Sequence, residues 1–173
     1  MRRNPVRSVT VAALAVLAVG GPSVTTPAFA DAAGKADAPP KANIVQRKAV
    51  EGRPGQEWLY PSVVVENTGS RRIGTERVLV EAPPEMLFMD SELTFTRYED
   101  ESREIHVQCV PSATKRTLTC PGVDLNLEPG RKWAVLYPAM SVKPNAGPGD
   151  TYVTFKLGSP VFAQGKSKVT VKR

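Results

Sequence analysis

Short segments in which apolar and polar residues alternate run through most of this chain, and they constrain its fold more than any other feature. In DTYVTFKLG, Val153, Phe155 and Leu157 share one face, and in KSKVTVKR the apolar Val169 and Val171 alternate with lysines. Successive side chains of a β-strand point to opposite sides of the sheet. Alternation with period two therefore predicts strands that bury one face.

Nine segments carry this pattern, and turn signals such as NTGSRRIG, EPG, NAGPGD and LGSP lie between them. The strands are predicted over 43–50, 57–67, 75–82, 93–98, 103–110, 116–120, 132–143, 150–157 and 166–172. Only PPEMLFMDSEL is compatible with a short helical turn. Short strands at this spacing predict an all-β fold, an immunoglobulin-like antiparallel β-sandwich of seven to nine strands.

The N-terminal segment has the composition of a secretory signal peptide. Arg2, Arg3 and Arg7 precede an apolar stretch over about 9–19, and the small-x-small pattern Ala28-Phe29-Ala30 follows. We therefore expect a signal peptide over 1–30, cleaved after Ala30, and a secreted, extracellular protein without stable membrane insertion. The Ala/Pro-rich residues 31–42 are expected to form a flexible tether, and residues 43–173 the sandwich domain.

The charge balance gives little support to a nucleic-acid partner. The chain has 23 Lys and Arg residues against 17 Asp and Glu residues, but three of the arginines lie in the leader. The remaining excess is about +3, which is too small to predict nucleic-acid binding.

The only two cysteines, Cys109 and Cys120, enclose the segment VPSATKRTLT. Paired cysteines of an exported protein usually form a disulfide, and the single histidine, His106, adds too few ligands for a zinc site. We expect a disulfide that staples a hairpin between the strands over 103–110 and 116–120. In the chain-entropy model such a bridge stabilises the fold by about 3 kcal/mol.

Several of these segments together resemble the immunoglobulin-like conserved-repeat domains of bacterial secreted and cell-surface proteins, a family of unknown function. The resemblance covers roughly 52–157, and the matching residues are Pro54, Gly55, Val63, Val65, Asn67, Thr68, Gly69, Pro83, Cys109, Cys120, Leu127, Pro129 and Gly130. Asn67-Thr68-Gly69 and Pro129-Gly130 are interpreted as turns, where Asn and Gly tolerate a left-handed backbone.

The polar clusters do not indicate an enzyme or a cofactor. His106 alternates with Glu104 and Gln108 and is predicted to face solvent, so a catalytic assembly around it is not expected. The acidic run 99–104 is interpreted as a solvated loop, with calcium binding as the alternative.

Two sets of residues are candidate contacts with a partner. Trp58 and Tyr60 are predicted to pack against the core or its rim, and the alternative is an exposed platform for a sugar ring. Trp133 and Tyr137 are predicted to be core residues.

The basic residues also have two interpretations. The lysines at 166, 168 and 172 either protect an edge strand or join Arg71, Arg72, Lys115 and Arg116 in a stripe that contacts anionic polymer or lipid.

The leading hypothesis is a non-catalytic binding or surface-associated module that contacts an unknown protein or cell-wall polymer. Contact would occur through loops at one end of the sandwich, over 69–76, 85–92 and 111–117. One alternative is an inhibitor of an exported trypsin-like protease, with the hairpin tip over 111–117 as its reactive loop. Another is a self-associating envelope component. A monomer is slightly favoured.

Overall fold

The alternating segments form strands that pair into two sheets, as a computed structural model shows. It describes residues 39–130 and 132–173. The predicted signal peptide and residues 31–38 of the predicted tether lie outside the described residues. The described residues form eleven strands: β1 (Ala42–Lys48), β2 (Val50–Gly52), β3 (Ser62–Asn67), β4 (Ile73–Glu81), β5 (Met86–Arg97), β6 (Asp100–Gln108), β7 (Val110–Pro111), β8 (Thr117–Leu127), β9 (Trp133–Val142), β10 (Gly149–Gly158) and β11 (Val161–Val171).

The strands form a five-stranded and a six-stranded sheet. Their orders are β1-β3-β9-β5-β6 and β2-β11-β10-β4-β8-β7. Among the described strands every pairing is antiparallel except that of the short β2 with β11. The all-β, immunoglobulin-like sandwich expected from the sequence is confirmed, with more strands than the seven to nine predicted.

The core lies between the inner faces of the two sheets, as strand alternation requires. Val153, Phe155 and Leu157 are at most 1% exposed, and Val169 is fully buried beside them. The other large, fully buried side chains come from both sheets: Val63, Ile73, Met86, Leu93, Phe95, Leu118, Leu125, Leu127, Leu136 and Met140.

β5, β8 and β11 are the strands that most exceed their predicted lengths. β8 continues through Pro121 and Gly122, with register shifts against β4. β5 begins at Met86, so the short helical turn allowed for PPEMLFMDSEL is absent apart from a turn at 84–85. Proline is tolerated where its nitrogen has no ladder bond to make, and an irregular register provides such positions.

Asn67 serves the turn after β3 through hydrogen bonds and not through its backbone. Neither Asn67 nor Gly69 has a positive φ, so the left-handed turn expected there is wrong. The fully buried Asn67 amide donates to the carbonyls of Arg71 and Leu127 at 2.7 and 2.8 Å, and its oxygen accepts from the Gly69 N–H at 2.9 Å. At Gly130 the left-handed backbone is confirmed, with φ of 94°.

The Cys109–Cys120 disulfide is present, with 4.3 Å between the Cα atoms. The hairpin that it staples is formed by β7 and β8, because Val110 pairs with Thr119 and the cysteines are the next cross-strand pair. β6 pairs instead with β5 in the other sheet. The predicted staple is confirmed, but its first strand is two residues long and the preceding residues 100–108 belong to the opposite sheet.

Candidate ligand-binding groove

The outer face of the five-stranded sheet carries a groove whose floor is a small residue. Ala139 points outward from the central strand β9, between the half-buried Tyr137 and Ser141. On one side of Ala139 lies the segment that precedes β3, which begins at Ser62. Leu59 of this segment keeps the register that β3 has with β9 and exchanges two hydrogen bonds of 2.9 Å with Met140. The buried Leu59 therefore anchors a short segment whose neighbours, Trp58 and Tyr60, point outward.

The backbone at Trp58 turns its side chain toward the groove. Trp58 has φ of 60°, a left-handed conformation that non-glycine residues rarely adopt. Its N–H donates to the Met89 sulfur at 3.3 Å, across β9. Trp58 and Met89 thus connect the two sides of the groove.

A bulge in β5 forms the opposite wall. Phe88 pairs with Met140 and Leu93 pairs with Pro138, so residues 89–92 are an irregular segment between two regular pairings. A bulge disrupts the ladder and redirects side chains. Here it places Asp90 and Glu92 along the groove, and the Asp90 carboxylate accepts from the Glu92 N–H at 3.0 Å.

The groove has a volume of about 370 Å³ and combines aromatic with acidic side chains. Its lining residues are Trp58, Tyr60, Asp90, Glu92, Thr94, Glu104, His106, Tyr137 and Ala139. Among the described residues no Lys or Arg lines it. The groove is therefore apolar on one side and rich in hydrogen-bond acceptors on the other.

The aromatic residues are exposed where the sequence predicted packing. Trp58 is 56% and Tyr60 is 48% exposed, so the prediction that they seal the core or its rim is wrong. Trp133 and Tyr137 were predicted to be core residues, but both are half-buried and face outward from β9. Tyr60 and Tyr137 meet edge to face, with ring centroids 6.2 Å apart.

Hydrogen bonds fix the polar wall. The Tyr137 hydroxyl donates to the Glu104 carboxylate at 2.7 Å, and burial followed by this bond raises the pKa of Tyr137 well above its ordinary value. His106 lies on the exposed face, as predicted, with its Nδ1 3.2 Å from the Thr94 hydroxyl and 3.6 Å from Glu92. Sequence spacing alone could not bring β6 residues next to Tyr137, which is 31 positions beyond His106.

The acidic run also closes one part of this face. Arg47 of β1 pairs with Glu101 of β6 at 3.2 Å, and these strands are the two edges of the sheet. Residues 100–104 are exposed, as predicted, but they belong to β6 and not to a loop. Within the described part of the chain no group of three His, Cys, Asp or Glu residues is arranged to hold a metal ion.

The basic residues do not form the continuous stripe considered from the sequence. Lys168 pairs with Asp150 at 2.7 Å, Lys172 with Glu51 at 2.6 Å, and Arg72 with Glu128 at 3.2 Å. Ion pairs of this kind neutralise the local field. β2 pairs with β11 only over 169–171, so Lys166 and Lys168 precede the paired residues and edge protection stays a prediction for them.

Of the three segments expected to cluster at one end of the sandwich, 85–92 and 111–117 meet, since the Phe88 N–H donates to the Lys115 carbonyl, but 69–76 lies apart from them. The turn over 68–72 precedes Ile73 at the start of β4, whereas Thr117, next to the hairpin tip, pairs with Glu81 at its other end. A nine-residue strand separates these ends by about 27 Å. Most of the 85–92 segment is β5 and its bulge, and a contact shared by all three segments at one end of the sandwich is wrong.

The hairpin tip is held against the neighbouring chain. The Arg116 carbonyl accepts from the Ala82 N–H at 2.8 Å, and the Lys115 carbonyl accepts from the Phe88 N–H at 3.0 Å. Lys115 also has φ of 53°. An extended reactive loop that projects from the surface is therefore not present at this tip.

Comparisons with known proteins do not assign this chain to a family. No protein-family model and no curated protein matches the chain, so the conserved-repeat family expected from the sequence is not confirmed. Similar solved structures include a chain of the CaDoc0917–CaCohA2 complex (14% identity, 76% of this chain and 100% of that chain, TM-score 0.47). A second is the collagen-binding subdomain of the Enterococcus faecalis surface protein ACE (7% identity, 78% of this chain and 97% of that chain, TM-score 0.40). A third is AvmM, described as catalysing a macrocyclization in alchivemycin A biosynthesis (10% identity, 78% of this chain and 89% of that chain, TM-score 0.42).

Each of these TM-scores is below 0.5 and each identity is below 25%, so the likenesses do not bear on function. Among the described residues no helix has the length and hydropathy to cross a membrane.

Proposed function

We propose that this protein is a secreted, non-catalytic binding module that holds a neutral or amine-bearing saccharide in the groove of the five-stranded sheet. The observation that supports this best is the exposure of Trp58 and Tyr60, 56% and 48%, at the wall of a groove that also holds carboxylates. Export by the predicted leader would deliver the groove to extracellular polysaccharide.

The chemistry of the groove fits a sugar ring. Aromatic rings carry a negative face that attracts weakly positive C–H groups, and they bury a large area on contact. Ligand sites typically combine such apolar walls with a few convergent polar groups. Asp90, Glu92 and Glu104 supply acceptors for hydroxyl or ammonium donors, and His106 supplies a further polar group.

The charge of the groove selects among possible polymers. Three carboxylates line it, and the described lining residues include no Lys or Arg. A polyanion would be repelled by this surface. The anionic wall polymer considered with the basic stripe is therefore not the ligand proposed for this groove.

The two alternative functions receive less support from the geometry. A protease-inhibitory loop would need the Arg116 main chain, which is already hydrogen-bonded to Ala82. Self-association through an open sheet edge would use β6, but its outward side is charged along residues 100–104, and charged edges oppose strand addition.

The proposal is tested by binding to a panel of insoluble polysaccharides and purified cell walls. Trp58→Ala and Tyr60→Ala should each weaken binding by roughly ten- to a hundredfold, since each removes a contact ring. Binding of a neutral saccharide should change little between low and moderate salt, whereas binding of an amine-bearing saccharide should weaken, because salt screens the attraction between its ammonium group and the carboxylates.

Tyr152→Ala is the matched control, because Tyr152 is also 48% exposed but lies on the six-stranded sheet. It should leave saccharide binding unchanged. Equal losses in Tyr60→Ala and Tyr152→Ala, or full binding by Trp58→Ala, would contradict the proposal.

A further inference from the structure

A second depression, on the outer face of the six-stranded sheet, differs from the groove in its charge. It has a volume of about 590 Å³. It forms because β10 pairs with β11 over Gly149–Gly158 but with β4 only over 154–157, so β10 and β11 continue past the end of β4. The chain then turns away through Ala82, Pro83 and Pro84.

Four strands place one row of side chains along this depression. Thr154 pairs with Lys166 of β11 and with Glu81 of β4, and Glu81 pairs in turn with Thr117 of β8. Directly paired residues of neighbouring strands share a face. Arg116 lies beside Thr117 at the hairpin tip and lines the same depression.

The acid in this row is already paired, whereas two of the cations are not. The Glu81 carboxylate lies 2.7 Å from the Lys156 ammonium. Among the described residues neither Arg116 nor Lys166 has a carboxylate within ion-pair distance. Lys166 instead lies 5.8 Å from the ring centroid of Tyr152.

Arg116 has donor capacity that the protein does not use. Its terminal nitrogen donates to the Ala82 carbonyl at 3.3 Å, but its Nε is buried without a hydrogen-bond partner. Because the Nε is buried, a solute would contact the terminal N–H groups of the guanidinium. The same arginine has further N–H donors in a planar fork that suits an oxyanion.

We propose that this depression binds an oxyanion, a phosphate or carboxylate group, between Arg116 and Lys166. The hydroxyls of Thr117 and Thr154 also line the depression, on either side of Glu81, whose charge is balanced by Lys156. Charge-assisted hydrogen bonds to guanidinium and ammonium groups are stronger than neutral ones. The site lies on the other sheet from the groove and does not depend on the saccharide proposal.

The test is a titration of the isotope-labelled protein with inorganic phosphate and, separately, with acetate, followed by amide NMR shifts. The amide chemical shifts of Thr117, Thr154 and Lys166 should change together and reach saturation. Added chloride should weaken the affinity for the oxyanion. A phosphate-bearing polymer and a carboxylate-bearing polymer then distinguish the two sources of the oxyanion. Polymer binding that leaves these amides unmoved would overturn the proposal.

Lys166→Gln should weaken phosphate or acetate binding about tenfold or more, and Lys166→Arg should restore it. Lys168→Gln is the matched control, because Lys168 lies two residues away on the same face but is paired with Asp150. Equal losses in both glutamine variants would overturn the proposal, as would the absence of saturable shifts. Tyr60→Ala should bind the oxyanion normally, which separates a failure here from a failure of the saccharide proposal.

Discussion

At the scale of single residues, the environment of Tyr137 favours the protonated form of its hydroxyl, although the side chain faces outward. The phenol is partly buried and donates to Glu104 at 2.7 Å, and these effects raise its pKa in the folded protein above the ordinary value of 10.0. The unfolded chain has the ordinary value, so the folded state binds this proton more tightly. The stabilisation is complete below about pH 10 and is lost as the pH rises further.

Tyr137→Phe should therefore lose less stability than the wild type when the pH rises above about 10. At neutral pH we expect the free energy of unfolding of the variant to be about 0.5–1.5 kcal/mol lower than that of the wild type. This difference should shrink above pH 10, because only the wild type loses stability there. The measurement is urea unfolding at several pH values. Tyr152→Phe is the control. A stability difference between wild type and Tyr137→Phe that stays constant up to high pH would contradict the role given to the Tyr137 hydroxyl.

At the scale of elements, the seam between β1 and β11 closes one side of the sandwich. Gly165 of β11 lies so close to β1 that an added Cβ would be 2.4 Å from the Ile44 carbonyl oxygen. Gln46 also donates to the Lys168 carbonyl at 3.3 Å across this seam. A backbone contact of this kind cannot be relieved by moving a flexible side chain.

Gly165→Ala should destabilise the protein by about 1–3 kcal/mol, the usual cost of overpacking. Gly74→Ala is the matched control, because Gly74 also lies in a strand but an added Cβ would meet nothing within 4 Å. It should change stability by no more than about 0.5 kcal/mol. The comparison uses urea midpoints, and similar midpoints for the two variants would show that the seam is not tightly packed.

At the scale of the whole molecule, the disulfide lies where the chain crosses from the five-stranded sheet to the β7–β8 hairpin of the six-stranded sheet. Cys109 follows β6 of the five-stranded sheet, whereas Cys120 lies in β8 of the six-stranded sheet. Both cysteines are buried, at 8% and 0% exposure. The bridge therefore fixes the point where the chain passes from one sheet to the other.

The Cys109→Ala, Cys120→Ala double variant should lose about 3 kcal/mol of stability, because the unfolded chain regains the entropy of the closed loop. It should keep the β-sheet circular dichroism of the wild type, since the core between the sheets is unchanged. Wild-type protein with its disulfide reduced should have a similar urea midpoint. An unchanged midpoint in both samples would contradict the predicted role of the bridge.

Alternation along the chain was sufficient to predict what each strand does locally. It assigned Val153, Phe155 and Leu157 to the core and the lysines of β11 to the surface, because the side-chain period of a strand depends only on the backbone. The expected export of the chain, together with its single pair of cysteines, was likewise enough to predict the Cys109–Cys120 bridge. The bounds of β5 and β8 were predicted too short, because β5 contains the bulge over 89–92 and β8 continues through Pro121 and Gly122.

The candidate sites depended on pairings between distant segments, which no local pattern contains. Trp58 and Tyr60 became exposed because Leu59 took the buried position opposite Met140, and Asp90 reached the groove through a bulge on the other side of β9. Thr154 acquired Lys166 and Glu81 as neighbours through strand register alone. The sequence by itself determined strands, inward faces and the disulfide, whereas only the tertiary structure decided which outward residues meet, because register is set by contacts across the whole fold.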